Sequence, residues 1–299
     1  MLGIIAPVTG SALDAALSAQ MVMIAGLFLL YGLRIPARDT LDGLKAWRTH
    51  LVVLAITFVV FPILGWSLAH TGLVPQIVVP GIILLTLVPT TLQSSVVMTS
   101  LAGGDRAFAV VTTSLSSLVG VFATPALVAL LLGGSTHVGV GSIVRIIAIV
   151  LVPFVGGQLA QRWIHDGVVG RWLTAHEHSM RFYDRGSVLV VVYLGFSSGT
   201  EAGVWDKVGV RDLVMVVIAC ALLFVASWCV CVLLSRPLPR ARAVAVWFCG
   251  SNKSLAAGLP MAAVLFPASS LALIVVPLMV YHQLQIITGT IIARRLAPA

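Results

Sequence analysis

Lys253 stands in the middle of an apolar stretch that runs from Ala243 to Phe266, inside the polar run Gly250-Ser251-Asn252-Lys253-Ser254. A charge at the centre of a bilayer costs about 3 kcal/mol on insertion scales, so it is retained where it meets a cavity, a partner or a substrate. The chemistry open to such an ammonium is electrostatic. It can hold an anion, meet the carbonyl end of a half-helix, or extend its stem toward the interface. A second polar run, Pro89-Thr90-Thr91-Leu92-Gln93-Ser94-Ser95, interrupts the apolar stretch Ile77–Leu101. The hydroxyls and amides of Gln93, Ser94, Ser95, Thr113, Ser251, Asn252 and Ser254 can line one cavity with Lys253, and these are the substrate-binding candidates. Ser and Thr are also common packing residues between membrane helices. His282 lies mid-span in Pro277-Leu278-Met279-Val280-Tyr281-His282-Gln283-Leu284-Gln285 and joins the candidates, although a lone histidine in such a place is also an ordinary hydrogen-bonded packing group.

Other chemistries find little support. All ten acidic residues fall in loops or within a turn or two of an apolar stretch's end, so no carboxylate stands beside Lys253 as proton relay or cation ligand. No nucleophile and base can be placed together, which argues against an enzyme. The frame of a phosphate-binding loop is missing before Lys253, and metal-ligand spacings are lacking. Cys220, Cys229, Cys231 and Cys249 all lie in apolar runs without a C-x-x-C pair and read as buried, reduced packing residues. No cofactor is expected beyond a coupling ion, H+ or Na+.

The elements that position these residues follow from composition. The chain has 299 residues, 59% of them hydrophobic and 9% charged, values far from those of soluble domains. A hydrocarbon core takes about 20 apolar residues per helix, which places nine spans, at 15–33, 51–69, 77–101, 107–132, 143–163, 186–204, 213–234, 243–266 and 269–293. The first lacks the flanks of a removable signal peptide. With all nine crossing, one face receives 14 Lys and Arg residues, from Arg34 to Arg295, and the other receives Arg145, Lys207 and Arg211. The positive-inside rule then puts the N-terminus outside and the C-terminus in the cytoplasm of an inner, or plasma, membrane. The net charge of +8 belongs to this topology rather than to nucleic-acid binding. Asp166 to Asp184, with Trp172, His176, His178 and Arg181, reads as a connecting helix along the interface.

Two interrupted spans in corresponding halves point to an all-α inverted-repeat transporter with two discontinuous helices and a site at the midplane. Broken backbone at membrane depth is tolerated only where protein, water or ligand satisfies it.

At these breaks the chain resembles the bile acid:sodium symporter family, in its sodium/bile-acid-cotransporter-like branch. The residues concerned are Val88 to Ser95 with Ala102-Gly103-Gly104-Asp105, Phe248 to Ala262, Phe61-Pro62-Ile63-Leu64-Gly65 and the Tyr281-His282-Gln283 region. The resemblance implies one transporter unit over residues 1–299, with the two discontinuous helices crossed at its centre. Its panel helices would be 15–33, 143–163 and 186–204, moving against core helices at 51–69, 77–132 and 213–293. Relatives usually have ten spans, and the residues before Ala15 leave no room for the first. In sodium-coupled members the second crossing carries a Glu and a Gln-Asn pair as sodium ligands, and an earlier helix a Gln. Here those positions hold Phe248, Asn252-Lys253 and Thr57, leaving a degenerate site around Ser94, Ser95, Thr113 and Asn252. The implied function is secondary transport of an organic anion by alternating access; the resemblance implies sodium coupling, whereas these residues, with Lys253 as a built-in cation, argue against a sodium requirement. Proton coupling is the other scheme. The alternative class is a non-transporting membrane regulator or scaffold on a carrier fold.

Overall fold

The computed structural model describes residues 2–34, 46–132, 144–164 and 175–298. The described residues are helical, with no strand among them. We label the helices α1 (Leu2–Ile5), α2 (Gly10–Arg34), α3 (Trp47–Ala69), α4 (Val79–Leu87), α5 (Leu92–Leu101), α6 (Arg106–Leu132), α7 (Val152–Ile164), α8 (Glu177–Glu201), α9 (Val210–Leu234), α10 (Arg240–Ser251), α11 (Leu255–Leu265) and α12 (Ala268–Leu296). Five of them, α2, α3, α6, α9 and α12, are long and apolar enough to cross a membrane. A sixth crossing forms if the residues from Gln76 to Leu101, bent by 61° at the break, count as one. The chain is a multi-pass membrane protein.

Two compact units divide it. The first comprises Met1–Ala37, Leu132–Lys207 and Leu259–Ala272. Within it α2 and α7 touch backbone to backbone at paired glycines. A Cβ on Gly32 would lie 2.2 Å from the Phe154 carbonyl oxygen, and one on Gly157 2.4 Å from that of Leu29. Gln158 Nε2 donates to the Gly32 carbonyl at 2.7 Å. Helix α8 packs on α1 and α2, with Ser187, Val191, Leu194 and Ser198 buried at the three- and four-residue spacing of one helix face. Tyr183 Oη donates to the Met23 carbonyl at 2.8 Å, and Tyr31 Oη to Asp184 Oδ1 at 2.6 Å.

The second unit comprises Arg38–Leu131, Val208–Gly258 and Leu273–Ala299. Gly65 lets α3 approach α4, since a Cβ there would lie 2.4 Å from Thr86 Cγ2. Gly103 turns the chain at φ +69°, a conformation that glycine adopts without strain. Asp105 then caps α6 by accepting the Phe108 N–H at 2.9 Å.

Several expectations need correction. The stretch up to Asp184 is no separate connecting helix over its described part: from Glu177 it forms the first turns of α8, which runs on to Glu201. Gly186 does not stop it, because one glycine in a helix costs about 1 kcal/mol and nothing packs within 4 Å of it. Cys229 is exposed, while Cys220, Cys231 and Cys249 are buried and free. An apolar run does not tell which thiol faces outward. Leu259–Ala272 groups with the first unit. There a Cβ on Gly195 would meet Leu271 Cδ2 at 3.1 Å and one on Gly199 would meet Ala272 Cβ at 2.8 Å. Arg38, Asp39, Asp42, Lys45, Ile143, Asp166, Arg171 and Trp172, and the side chains of Arg34, Arg162 and Lys207, lie outside the described residues.

Candidate functional site

Both interruptions exist, each narrower than its polar run. The first leaves the helix at Val88–Thr91, so Gln93, Ser94 and Ser95 already belong to α5. The second is Asn252-Lys253-Ser254, and Ser251 closes α10. Helix C-termini leave carbonyls without donors, and at membrane depth each must find one.

Lys253 supplies three of those donors. It is fully buried, the one buried lysine or arginine among the described residues. Its Nζ donates to the carbonyls of Thr57 at 3.0 Å, Thr86 at 2.8 Å and Val88 at 3.0 Å, and stands 4.2 Å from the centre of the Phe61 ring. The sequence explains why these oxygens are vacant. Around Thr57 the helix widens into a π-helical stretch, Ile56–Val60, in which the Phe61 N–H goes to Ile56. The residue five on, Pro62, has no N–H to give. Thr86 is followed three residues later by Pro89, and the Thr90 N–H turns away to Ser116 Oγ at 3.1 Å. Val88 has already left the helix, at ψ 151°.

The neighbouring groups are matched with equal economy. Thr124 Oγ1 donates to the Leu87 carbonyl at 2.7 Å. The Ser254 N–H donates to the Pro89 carbonyl at 2.8 Å, tying the two breaks together. Tyr281 Oη donates to the Ser251 carbonyl at 2.7 Å. Gln285 pairs with Lys253 as a second backbone would: Oε1 accepts its N–H at 2.7 Å, and Nε2 donates to its carbonyl at 2.8 Å. Ser254 Oγ accepts the Ala257 N–H at 3.2 Å and so caps α11.

The structure therefore gathers Lys253, Asn252, Ser254 and Ser95 at the crossing. Asn252 Nδ2 donates to Ser95 Oγ at 3.0 Å, and Ser95 Oγ to the Phe248 carbonyl at 3.2 Å. Ser251 Oγ is spent on the Trp247 carbonyl at 2.6 Å. Thr113 is buried, its hydroxyl bonded within α6 to Ala109 at 2.8 Å and Val110 at 3.0 Å. Gln93 is exposed. His282 reaches the centre through Gln285, whose Nε2 lies 2.9 Å from its Nδ1. Because that amide nitrogen donates, Nδ1 accepts and the ring proton sits on Nε2, an assignment inferred from the network. Among the sequence candidates two oxygens stay buried without a partner, Ser94 Oγ and Asn252 Oδ1, and in the first break Thr90 Oγ1 does too. Such atoms are rare in native structures and mark places where a bound group or water is received. Phe248 packs in an apolar cluster with Met98, Ala102, Val244 and Ala293, and its side chain carries no oxygen ligand for a cation.

Gln285, Tyr281 and the Thr57 carbonyl were not among the sequence candidates. The signal for the first two is a four-residue spacing, Pro277, Tyr281, Gln285 and Gly289, which sets them on one face of α12. All four are buried.

Helices broken at membrane depth and tied together by a buried cation define a membrane carrier fold rather than a plain helical bundle. The chain belongs to the SBF-like CPA transporter family, whose profile matches residues 1–298. An uncharacterized protein of Pseudomonas aeruginosa is 40% identical over 277 residues, covering 91% of this chain and 82% of the relative. The candidate symporter YfeH of Escherichia coli is 38% identical over 282 residues, with the same two coverages. Sodium/bile acid cotransporter 7 of Mus musculus is 27% identical over 294 residues, covering 95% of this chain and 85% of the relative.

Proposed function

We propose that this chain is a secondary carrier for a small organic anion, working by alternating access across an inner membrane through nine spans, and that it does not require sodium. The observation that carries the reading is the seat of Lys253. Its ammonium is held by neutral carbonyls and an aromatic ring, so dipoles stabilise the charge while its formal value stays +1. Among the described residues no acidic side chain pairs with it, and every acidic residue of the sequence lies in a loop or toward the end of a span.

An anion near the crossing meets this charge and the N-termini of α5 and α11, whose dipoles also favour negative charge. Ser94 Oγ, buried and unpartnered, can donate to the anion, and Asn252 Oδ1, also unpartnered, can accept from a substrate hydroxyl or a bridging water, with Gln93, Ser95 and Ser254 close in sequence. Lys253 acts through its field, since its three protons are already given to carbonyls. Sodium would have to enter beside a fixed ammonium, and like charges a few Å apart cost several kcal/mol at the low effective dielectric of the interior, on the order of 4 kcal/mol at 4 Å. Phe248 and Thr57 stand where the sodium-coupled members are expected to carry carboxylate and amide ligands.

The test is uptake into proteoliposomes, with candidate carboxylates first selected by thermal shift of the purified protein. Saturable uptake unchanged when choline replaces sodium is the expected result. Uptake rising steeply with an inward sodium gradient and indifferent to a pH gradient would overturn it.

A further inference from the structure

The seat of the Lys253 ammonium is built by residues other than Lys253. Pro62 and the π-helical stretch free the Thr57 carbonyl, Pro89 frees that of Thr86, and the first break frees that of Val88. These causes are all backbone, and they persist whatever residue occupies position 253. Three oxygens within 3.0 Å of a single point, with the Phe61 ring 4.2 Å from it on the side, form a cation receptor. Convergent carbonyls replace the water shell of a monovalent ion in channels, and aromatic faces attract cations. Thr57, Thr86, Phe61 and Gln285 are all fully buried, so the receptor is also dry.

We propose that Thr57, Thr86 and Val88, with Phe61, form a monovalent-cation site whose resident is the chain's own ammonium, and that a free cation of ammonium or potassium size enters it when the lysine side chain is removed. This deepens the built-in-cation part of the functional reading and rests on it, but not on transport. Lys253 is then a tethered ion. It keeps the site occupied at every cation concentration, and in doing so holds α3, α4 and the second break in one arrangement.

Lys253→Ala removes the ammonium and its stem, leaving three buried carbonyls without donors beside a vacated space. The purified variant is melted in choline chloride, and then with potassium, ammonium or sodium chloride replacing choline at constant total salt. The wild type and Gly157→Ala, which is expected to loosen the first unit only, serve as controls for general salt effects. Lys253→Ala should melt well below the wild type in choline. Potassium or ammonium should raise its midpoint saturably by about 2–4 °C, the shift expected of a ligand present at several times its dissociation constant. Both controls should be indifferent to the cation. Should the variant not survive extraction in choline, its folded yield on extraction in potassium is compared with that in choline, and higher yield in potassium supports the site. Equal midpoints and equal yields in every salt, or a variant unfolded in all of them, overturn it. Sodium-driven uptake by the wild type would sink the sodium-independent reading and leave this site standing. A cation-blind Lys253→Ala would sink the site and leave sodium-independent transport standing.

Discussion

At the scale of single residues, the crossing is a problem of matching donors to acceptors, and Gln285 solves as much of it as Lys253 does. Its amide takes the N–H and the carbonyl of Lys253 at once, two groups that no helix or sheet serves. Gln285→Leu keeps the apolar volume and leaves both unpaired in a dry place. At about 1–3 kcal/mol per orphaned group, the two groups should cost the variant about 2–6 kcal/mol of stability, seen as a lowered unfolding midpoint in detergent. Gln283, two positions earlier and exposed, is the control: Gln283→Leu should leave the midpoint within about 1–2 °C of the wild type, as surface changes do. Equal effects of the two substitutions would refute the pairing role. Lys253 was legible in the sequence because a charge in an apolar run demands a reason. Which of its possible partners it takes was not legible. Carbonyl ends and an anionic substrate satisfy the same ammonium, and the choice depends on where Pro62 and Pro89 leave oxygens bare.

At the scale of elements, both breaks were legible, from proline and glycine among small polar residues, but their limits were not. Gln93, Ser94 and Ser95 read as loop and fold as the first turn of α5. Short polar side chains favour turns and caps only while no neighbouring helix fixes the backbone. The π-helical stretch of α3 left no mark at all, because Leu51 to Ala69 is apolar throughout apart from Thr57 and Ser67, and period alone does not show one extra residue in a turn. Small residues carry a clearer message, provided their neighbours are known. Gly156 and Gly157 are adjacent on α7, yet a Cβ at 157 would meet the Leu29 carbonyl oxygen at 2.4 Å, whereas nothing lies within 4 Å of one at 156. Gly157→Ala should therefore push α2 and α7 apart and cost about 1–3 kcal/mol, the range for overpacking. Gly156→Ala should be neutral or stabilise by up to about 1 kcal/mol through helix propensity. Thermal unfolding of the pair decides this, and a reversed order would show that the close approach of α2 and α7 is not set by Gly157.

At the scale of the whole molecule, the sequence carried the membrane class and the family clearly, since hydropathy and the residues of the breaks are local signals. The number of crossings is a harder matter. Helix α8 shows why: only the 15 residues 186–200 separate Arg185 from Glu201, fewer than the roughly 20 that span a hydrocarbon core. Its polar ends are nonetheless spoken for, with Asp184 accepting from Tyr31 and Glu201 Oε1 from the Gly10 N–H at 2.9 Å, so the helix holds together beyond its apolar middle. Charge gives an independent count. If α8 crosses, Arg236, Arg240, Arg242, Arg294 and Arg295 share a face with Arg48 and Arg106, whereas without that crossing the five move to the opposite face, against the positive-inside rule. The proposal of nine spans with the N-terminus outside rests on this count, and fusions of alkaline phosphatase, which folds only after export, test both points at once. A fusion after Lys207 should be active and one after Arg295 inactive. Activity after Arg295 would mean that one of the proposed spans fails to cross or that the orientation is inverted. The fusion after Lys207 stays active if a later crossing is lost and falls silent under inversion or the loss of α8; a fusion after Arg185 separates these two, being active under inversion and silent when α8 alone fails to cross.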